Sequence, residues 1–88
     1  EDLISTGKSS MQAIKALTES GASVKCLLSI FDYNFEVAKK RFKKENVSVY
    51  SLSDYNHLIE LATENRFIMK SEEQILKNWR LVPQKWKP

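Results

Sequence analysis

EDLISTGKSS, residues 1–10, places two adjacent carboxylates directly before a short loop of hydroxyls with one glycine, and a helical pattern begins straight afterwards. The backbone N–H groups of such a loop and the positive end of the helix attract a phosphate. The carboxylates of Glu1 and Asp2 can accept hydrogen bonds from sugar hydroxyls. The stretch therefore predicts a loop-to-helix unit that holds a sugar phosphate.

The triplet Gly7-Lys8-Ser9 has the form of the last part of a nucleotide-triphosphate P-loop, G-x-x-x-x-G-K-[ST]. That motif needs a second glycine five residues before Gly7, and Asp2 stands there. Because a carboxylate repels a triphosphate, we do not expect a P-loop here.

Helix and strand patterns alternate after this loop. A helix capped by Ser9 or Ser10 ends near Gly21, and the apolar run 24–31 then predicts a strand buried on both faces, with Cys26 packed inside. A helix capped by Asn34 follows, then a short edge strand over 47–50 and a helix from Ser53. After a loop over 65–70, a last helix begins with a capping box at Ser71 and ends at Pro83. This alternation predicts the α/β class with parallel strands. We divide the chain into an α/β part, 1–70, and a carboxyl-terminal helix and tail, 71–88.

Charge and composition narrow the classes of partner. The 88 residues carry a net charge of +3, much of it in the basic segment 39–44. We interpret that segment as a solvated helix face with Phe42 turned inward, because no aromatic stacking surface alternates with its charges as in single-strand binders. No apolar run approaches the ~18 residues of a membrane span. The single cysteine cannot form an internal disulfide, and no signal-peptide pattern is present, so we expect a cytoplasmic protein without a membrane or nucleic-acid partner.

Three further side chains are interpreted as structural. His57 has no second histidine or cysteine nearby in the sequence, so we expect an exposed structural residue rather than a metal ligand. Trp79 and Trp86 are expected to pack on the body of the protein.

The acid pair, the apolar pair Leu3-Ile4 and the hydroxyl-rich loop 5–9 resemble the ribose-phosphate signature of the type I phosphoribosyltransferases. Beyond this signature, nearly the whole chain is similar to orotate phosphoribosyltransferases. The matching segments include the helix into Gly21-Ala22, the stretches 24–30, 35–38 and 47–55, and the tail with Trp79 and Trp86. The resemblance implies a type I phosphoribosyltransferase-like parallel sheet flanked by helices. This chain would be its carboxyl-terminal part, because the strand expected before Glu1 is absent.

The resemblance implies a glycosyltransferase of pyrimidine biosynthesis. It would transfer the phosphoribosyl group from phosphoribosyl pyrophosphate to orotate, giving orotidine 5′-monophosphate and pyrophosphate. Magnesium would be held mainly by the pyrophosphate substrate, with no metal ligand from this chain. A homodimer is implied, whose sites borrow loop residues from the partner.

The resemblance also implies a set of site residues. Glu1 and Asp2 would be catalytic, because they would bind the ribose hydroxyls and favour the positive charge that develops on the ring. The residues expected to contact phosphoribosyl pyrophosphate are Glu1, Asp2, Leu3, Ile4, Ser5, Thr6, Gly7, Lys8 and Ser9. Ser5 would also contact orotate.

One departure from the family pattern concerns the base. Many orotate enzymes carry Asp-Arg after the second strand, whereas this chain has Asp32-Tyr33. A tyrosine cannot form a bidentate ion pair with the orotate carboxylate. The lysine-bearing mobile loop of the family is expected upstream, so residues 1–88 alone are expected to be inactive.

Proteins with two other functions carry the same ribose-phosphate signature. One is a purine-base phosphoribosyltransferase. The other is a non-catalytic regulator that senses phosphoribosyl pyrophosphate and binds nucleic acid, for which the basic segment 39–44 leaves room.

Overall fold

A computed structural model describes residues 1–86. Lys87 and Pro88, the end of the predicted tail 71–88, lie outside the described residues. The elements are β1 (Leu3–Ile4), α1 (Lys8–Glu19), β2 (Cys26–Asp32), α2 (Glu36–Lys44), β3 (Ser48–Asp54), α3 (Tyr55–Glu64), α4 (Lys70–Leu81) and a 3₁₀ turn (Pro83–Lys85).

The three described strands form one parallel sheet in the order β1-β2-β3. Ile4 lies opposite Asp32, and Asp32 lies opposite Asp54, so all three strands end at the same edge. The α/β class with parallel strands is therefore confirmed. Ligands of such sheets bind beyond this carboxyl edge.

Helices α1 and α2 supply most of the core, which they form with the sheet. The buried cluster consists of Ile4, Met11, Ile14, Ala38, Phe42 and Val47, with Val24, Leu27 and Val49 partly buried against it. Phe42 is 3% exposed between exposed lysines, which confirms the inward orientation predicted for it. Gly21 adopts a φ of 96° just after α1, as expected for a glycine that ends a helix.

The prediction that β2 is buried on both faces is wrong for this chain. Leu28 is 65% exposed, Ile30 is 61% exposed, and Cys26 is an exposed free thiol rather than a packed one. The apolar run is typical of a strand covered on both sides, but among residues 1–86 the core lies against one side only.

All four described helix starts differ from the predicted caps. Helix α1 begins at Lys8 with Gly7 at the cap position, so neither Ser9 nor Ser10 caps it. Asn34 takes a left-handed φ of 61°, and Phe35 becomes the residue before α2.

The strand β3 continues past Ser53 to Asp54, whose carboxylate accepts the N–H of His57 and so caps α3. Helix α4 begins at Lys70 because Glu72 accepts the N–H of Met69 at 2.8 Å, two residues before the predicted box at Ser71. In the last two cases an acidic side chain caps the helix in place of the predicted serine.

An aromatic cluster joins the carboxyl edge of the sheet to α4. Tyr33 stacks on Phe35 at a ring-centroid distance of 5.3 Å, and the Trp79 ring lies 5.6 Å from Phe35 and 5.5 Å from Tyr55. Trp79 therefore packs on the body as predicted, whereas Trp86 remains about half exposed.

Candidate functional site

A cavity of about 300 Å³ opens beyond the carboxyl end of β1, where a parallel sheet is expected to bind its ligand. Its wall is formed by Leu3, Ile4, Ser5, Thr6, Gly7, Lys8, Ser9, Ser10 and Gln12. The structure thus brings the predicted residues from Leu3 to Ser9 around one space. Ser10 and Gln12 belong to the wall as well, and the sequence pattern gave no reason to include Gln12.

Gly7 is required at its position for two reasons. Its φ of 79° lies in the left-handed region, which side chains disfavour. A Cβ atom added there would lie 3.0 Å from the Phe42 ring and 3.3 Å from Ala38 Cβ. The loop 5–9 therefore rests directly on α2, and a glycine is what permits this close approach.

The start of α1 supplies donors for an anion. Gly7 occupies the cap position and has no side chain with which to accept the N–H groups of the first turn. Lys8 N–H is 3.5 Å from Thr6 Oγ1, at the outer limit of a hydrogen bond. These free donors and the positive helix end favour a phosphate in the cavity, next to the hydroxyls of Ser5, Thr6 and Ser9.

The acid pair lies beside the cavity rather than in its wall. Glu1 and Asp2 are both exposed. Ser10, a wall residue, donates its hydroxyl to Glu1 Oε2 at 2.9 Å, which links the acid to the cavity. Hydrogen bonding with the Glu1 side chain, together with the Leu3 N–H that donates to Asp2 Oδ1, lowers the pKa of Asp2 below its usual value. Asp2 is therefore an ionised carboxylate at neutral pH.

The carboxylate and hydroxyl oxygens near the cavity belong to the hard ligands that magnesium prefers. Among residues 1–86, no three histidine, cysteine or acidic side chains come together to hold a metal ion. The oxygen-rich surroundings of the cavity therefore fit a magnesium ion that is held mainly by the phosphate groups of a bound ligand and by water.

The turn that follows β2 lies next to this loop. The N–H of Tyr33 donates to the carbonyl of Ile4 at 3.0 Å. The side chain of Tyr33 faces a second cavity, of about 320 Å³, lined by Tyr33, Tyr55, Leu76, Trp79 and Trp86. Arg80 Nη1 donates to the carbonyl of Asn34 at 2.6 Å. Sequence reasoning missed Arg80, because nothing local to α4 indicates that it reaches a turn 46 residues earlier.

His57 forms a surface pair with the cap of α3. Its ring Nδ1 lies 2.8 Å from Asp54 Oδ2, and its side chain is 78% exposed. The hydrogen bond to Asp54 raises the pKa of His57 above 6.5. Although burial alone would raise the pKa of Asp54, the hydrogen bonds from the backbone and ring of His57 lower it below 3.8. His57 therefore pairs, through both its backbone N–H and its ring, with the carboxylate that caps α3.

The sequence of this chain is similar to those of several curated orotate phosphoribosyltransferases. No protein-family model matches the chain. The chain is 40% identical over 87 residues to the orotate phosphoribosyltransferase of Cytophaga hutchinsonii, covering 99% of this chain and 42% of that protein. It is 45% identical over 80 residues to the enzyme of that name from Malacoplasma penetrans, covering 91% and 38%. It is 43% identical over 86 residues to that from Bacillus caldolyticus, covering 98% and 42%.

The chain thus spans about two-fifths of the length of these curated relatives. The matches extend far beyond the first ten residues, through both later strands and into α4. The resemblance predicted from the sequence is confirmed: the chain is similar, over nearly its whole length, to the carboxyl-terminal part of orotate phosphoribosyltransferases.

Proposed function

We propose that this chain forms part of an enzyme that transfers the phosphoribosyl group of phosphoribosyl pyrophosphate to orotate, giving orotidine 5′-monophosphate and pyrophosphate. The observation that carries the proposal is the cavity beyond β1, in which hydroxyls and uncapped helix N–H groups surround a space of about 300 Å³. The names of the relatives support orotate as the base.

The 5–9 loop would hold the 5′-phosphate. Backbone N–H groups at the start of α1 and the hydroxyls of Ser5, Thr6 and Ser9 would donate to its oxygens. Lys8 would contribute a positive charge from the cavity wall. Leu3 and Ile4 would form the apolar side of the site, and Ser5 would also contact orotate.

The acid pair would act on the ribose. Departure of pyrophosphate leaves positive charge on the sugar ring, and ionised Asp2 with Glu1 would stabilise it while accepting hydrogen bonds from the ribose hydroxyls. Magnesium, brought mainly by the pyrophosphate substrate, would neutralise the leaving group when bound. Tyr33 is not assigned the role of the family arginine, because its ring packs in the aromatic cluster.

We also propose the assembly and compartment. Residues 1–70 would belong to the phosphoribosyltransferase α/β domain and 71–88 would add its last helix and tail, in a cytoplasmic homodimer. The longest helices among residues 1–86 have 12 residues, and none is long and apolar enough to cross a membrane. Residues 1–88 alone would be inactive.

The direct test mixes the full-length protein that carries this chain with orotate, phosphoribosyl pyrophosphate and magnesium. We expect the orotate absorbance to fall as orotidine 5′-monophosphate forms. A parallel reaction supplies adenine, guanine or hypoxanthine instead of orotate. Turnover with a purine but not with orotate would overturn the assignment of the base.

A further inference from the structure

Two consecutive residues of α4 hold the turn that follows β2. The Trp79 ring packs against Tyr33 at 6.0 Å and Phe35 at 5.6 Å, and the Arg80 guanidinium donates to the carbonyl of Asn34 between them. Helix α4 therefore contacts all three residues of the 33–35 turn.

The turn adopts a conformation that needs such support. Asn34 has a φ of 61°, a left-handed conformation that L-residues disfavour and that asparagine tolerates better than most. Its N–H donates to Asp32 Oδ1 at 2.8 Å, and its carbonyl accepts from Arg80 at 2.6 Å. Because the guanidinium is charged and half-buried, this second bond is stronger than a neutral one.

Two contacts connect the turn to the 5–9 loop. The N–H of Tyr33 donates to the carbonyl of Ile4, the residue directly before the loop. Phe35 leads into α2, whose Phe42 ring lies 3.0 Å from the position of a Cβ on Gly7. A shift of the turn would therefore move both the backbone entering the loop and the helix on which the loop rests.

We propose that Arg80 is a positioning residue for the phosphate-binding loop, acting through the 33–35 turn with Trp79 as its packing partner. This inference rests on the proposed function, since it assumes that the 5–9 loop binds a 5′-phosphate. Arg80 does not line the cavity, and its hydrogen bond goes to the carbonyl of Asn34, so its effect is on the geometry of the loop rather than on the ligand.

The test compares two cations of α4 in the full-length protein. Arg80→Met removes the bond to Asn34, whereas Lys77→Met removes a cation one turn earlier that pairs with Glu73 at the surface. The dissociation constant for phosphoribosyl pyrophosphate with magnesium is measured by calorimetry, at a temperature where both variants are folded by circular dichroism. Coupling between two sites changes an affinity by about 5- to 150-fold, and we expect Arg80→Met to weaken binding by about fivefold. Lys77→Met leaves it unchanged.

The outcomes separate this inference from the function on which it rests. Wild-type protein that does not bind phosphoribosyl pyrophosphate overturns both. Wild-type binding with equal affinity in Arg80→Met overturns the inference alone, because a merely structural residue lowers the unfolding temperature and leaves affinity unchanged. If Arg80→Met does not fold, Arg80→Lys is measured in its place, because lysine keeps the positive charge but loses the planar guanidinium. About twofold weaker binding of phosphoribosyl pyrophosphate by Arg80→Lys would then support the inference, and unchanged affinity would overturn it.

Discussion

At the scale of single residues, Asp2 tests the proposed chemistry most directly. Asp2→Asn keeps the shape of the side chain and removes its charge, so stabilisation of the positively charged ribose is lost. We expect the turnover rate of the full-length enzyme to fall by about 100-fold or more. Glu19→Gln, at the exposed far end of α1, serves as the control and should leave the rate unchanged. Normal turnover in Asp2→Asn would remove Asp2 from the catalytic site.

Gly7 and Gly21 form a matched pair for separating backbone strain from steric overlap. Both have positive φ values, but a Cβ on Gly7 would meet the Phe42 ring at 3.0 Å, whereas nothing lies within 4 Å of one on Gly21. Gly21→Ala should lower the free energy of unfolding by about 1 kcal/mol through strain alone. Gly7→Ala should cost about 2–3 kcal/mol, because overlap in the core is added. Urea unfolding measures the free energy of unfolding of both variants. Equal losses in Gly7→Ala and Gly21→Ala would contradict the contact of Gly7 with α2.

His57 gives the chain a pH-dependent contribution to stability. Its pKa in the folded protein is raised above 6.5 by Asp54, so the pair stabilises fully below pH 6.5 and the contribution is lost as pH rises through the folded pKa. His57→Gln should therefore lower the unfolding midpoint more at about pH 5 than at about pH 9. Proton NMR of His57 should show the raised pKa, and Asp54→Asn should lower it. A His57 pKa at or below 6.5 in the wild type would contradict this pairing.

At the scale of elements, the alternation of patterns was enough to predict the parallel α/β sheet, but the helix starts were not predictable from it. Ser53 and Ser71 are good caps by residue type, yet Asp54 and Glu72 cap the actual helices. Competition between neighbouring caps is decided by where the strand or loop before the helix ends. That position depends on tertiary packing rather than on local sequence. The contact of Arg80 was not predictable for the same reason, because its partner, Asn34, lies on a turn that is distant in the sequence.

The start of α4 permits a test of this capping interaction. Glu72→Ala removes both the acceptor of the Met69 N–H and a negative charge from the first turn of the helix. We expect a loss of about 1 kcal/mol in the free energy of unfolding. Glu72→Gln keeps an acceptor oxygen and removes the charge alone, so its loss should be about half as large. Equal losses in the two variants would show that the charge, and not the hydrogen bond, stabilises the helix start.

At the scale of the whole molecule, residues 1–86 form an elongated body with one open sheet face. The radius of gyration is 15.2 Å, against about 12 Å for a compact domain of this length. On the open face Leu28, Ile30, Tyr50 and Leu52 are all exposed around a hollow of about 300 Å³. The apolar composition of the strands was evident in the sequence, but which face the helices cover depends on their packing.

This open face predicts how residues 1–88 behave as an isolated polypeptide. Contiguous exposed apolar surface drives association, so sedimentation velocity should show concentration-dependent self-association. Leu52 is 87% exposed, and Leu52→Lys should reduce the association without unfolding the chain, as checked by circular dichroism. Phe67→Lys is the matched control, because Phe67 is 84% exposed but belongs to the connection between α3 and α4 and does not line the hollow on the sheet face. Equal effects of the two substitutions would mean that association follows general surface hydrophobicity. A selective effect of Leu52→Lys would identify the β2–β3 face as the surface that needs to be covered.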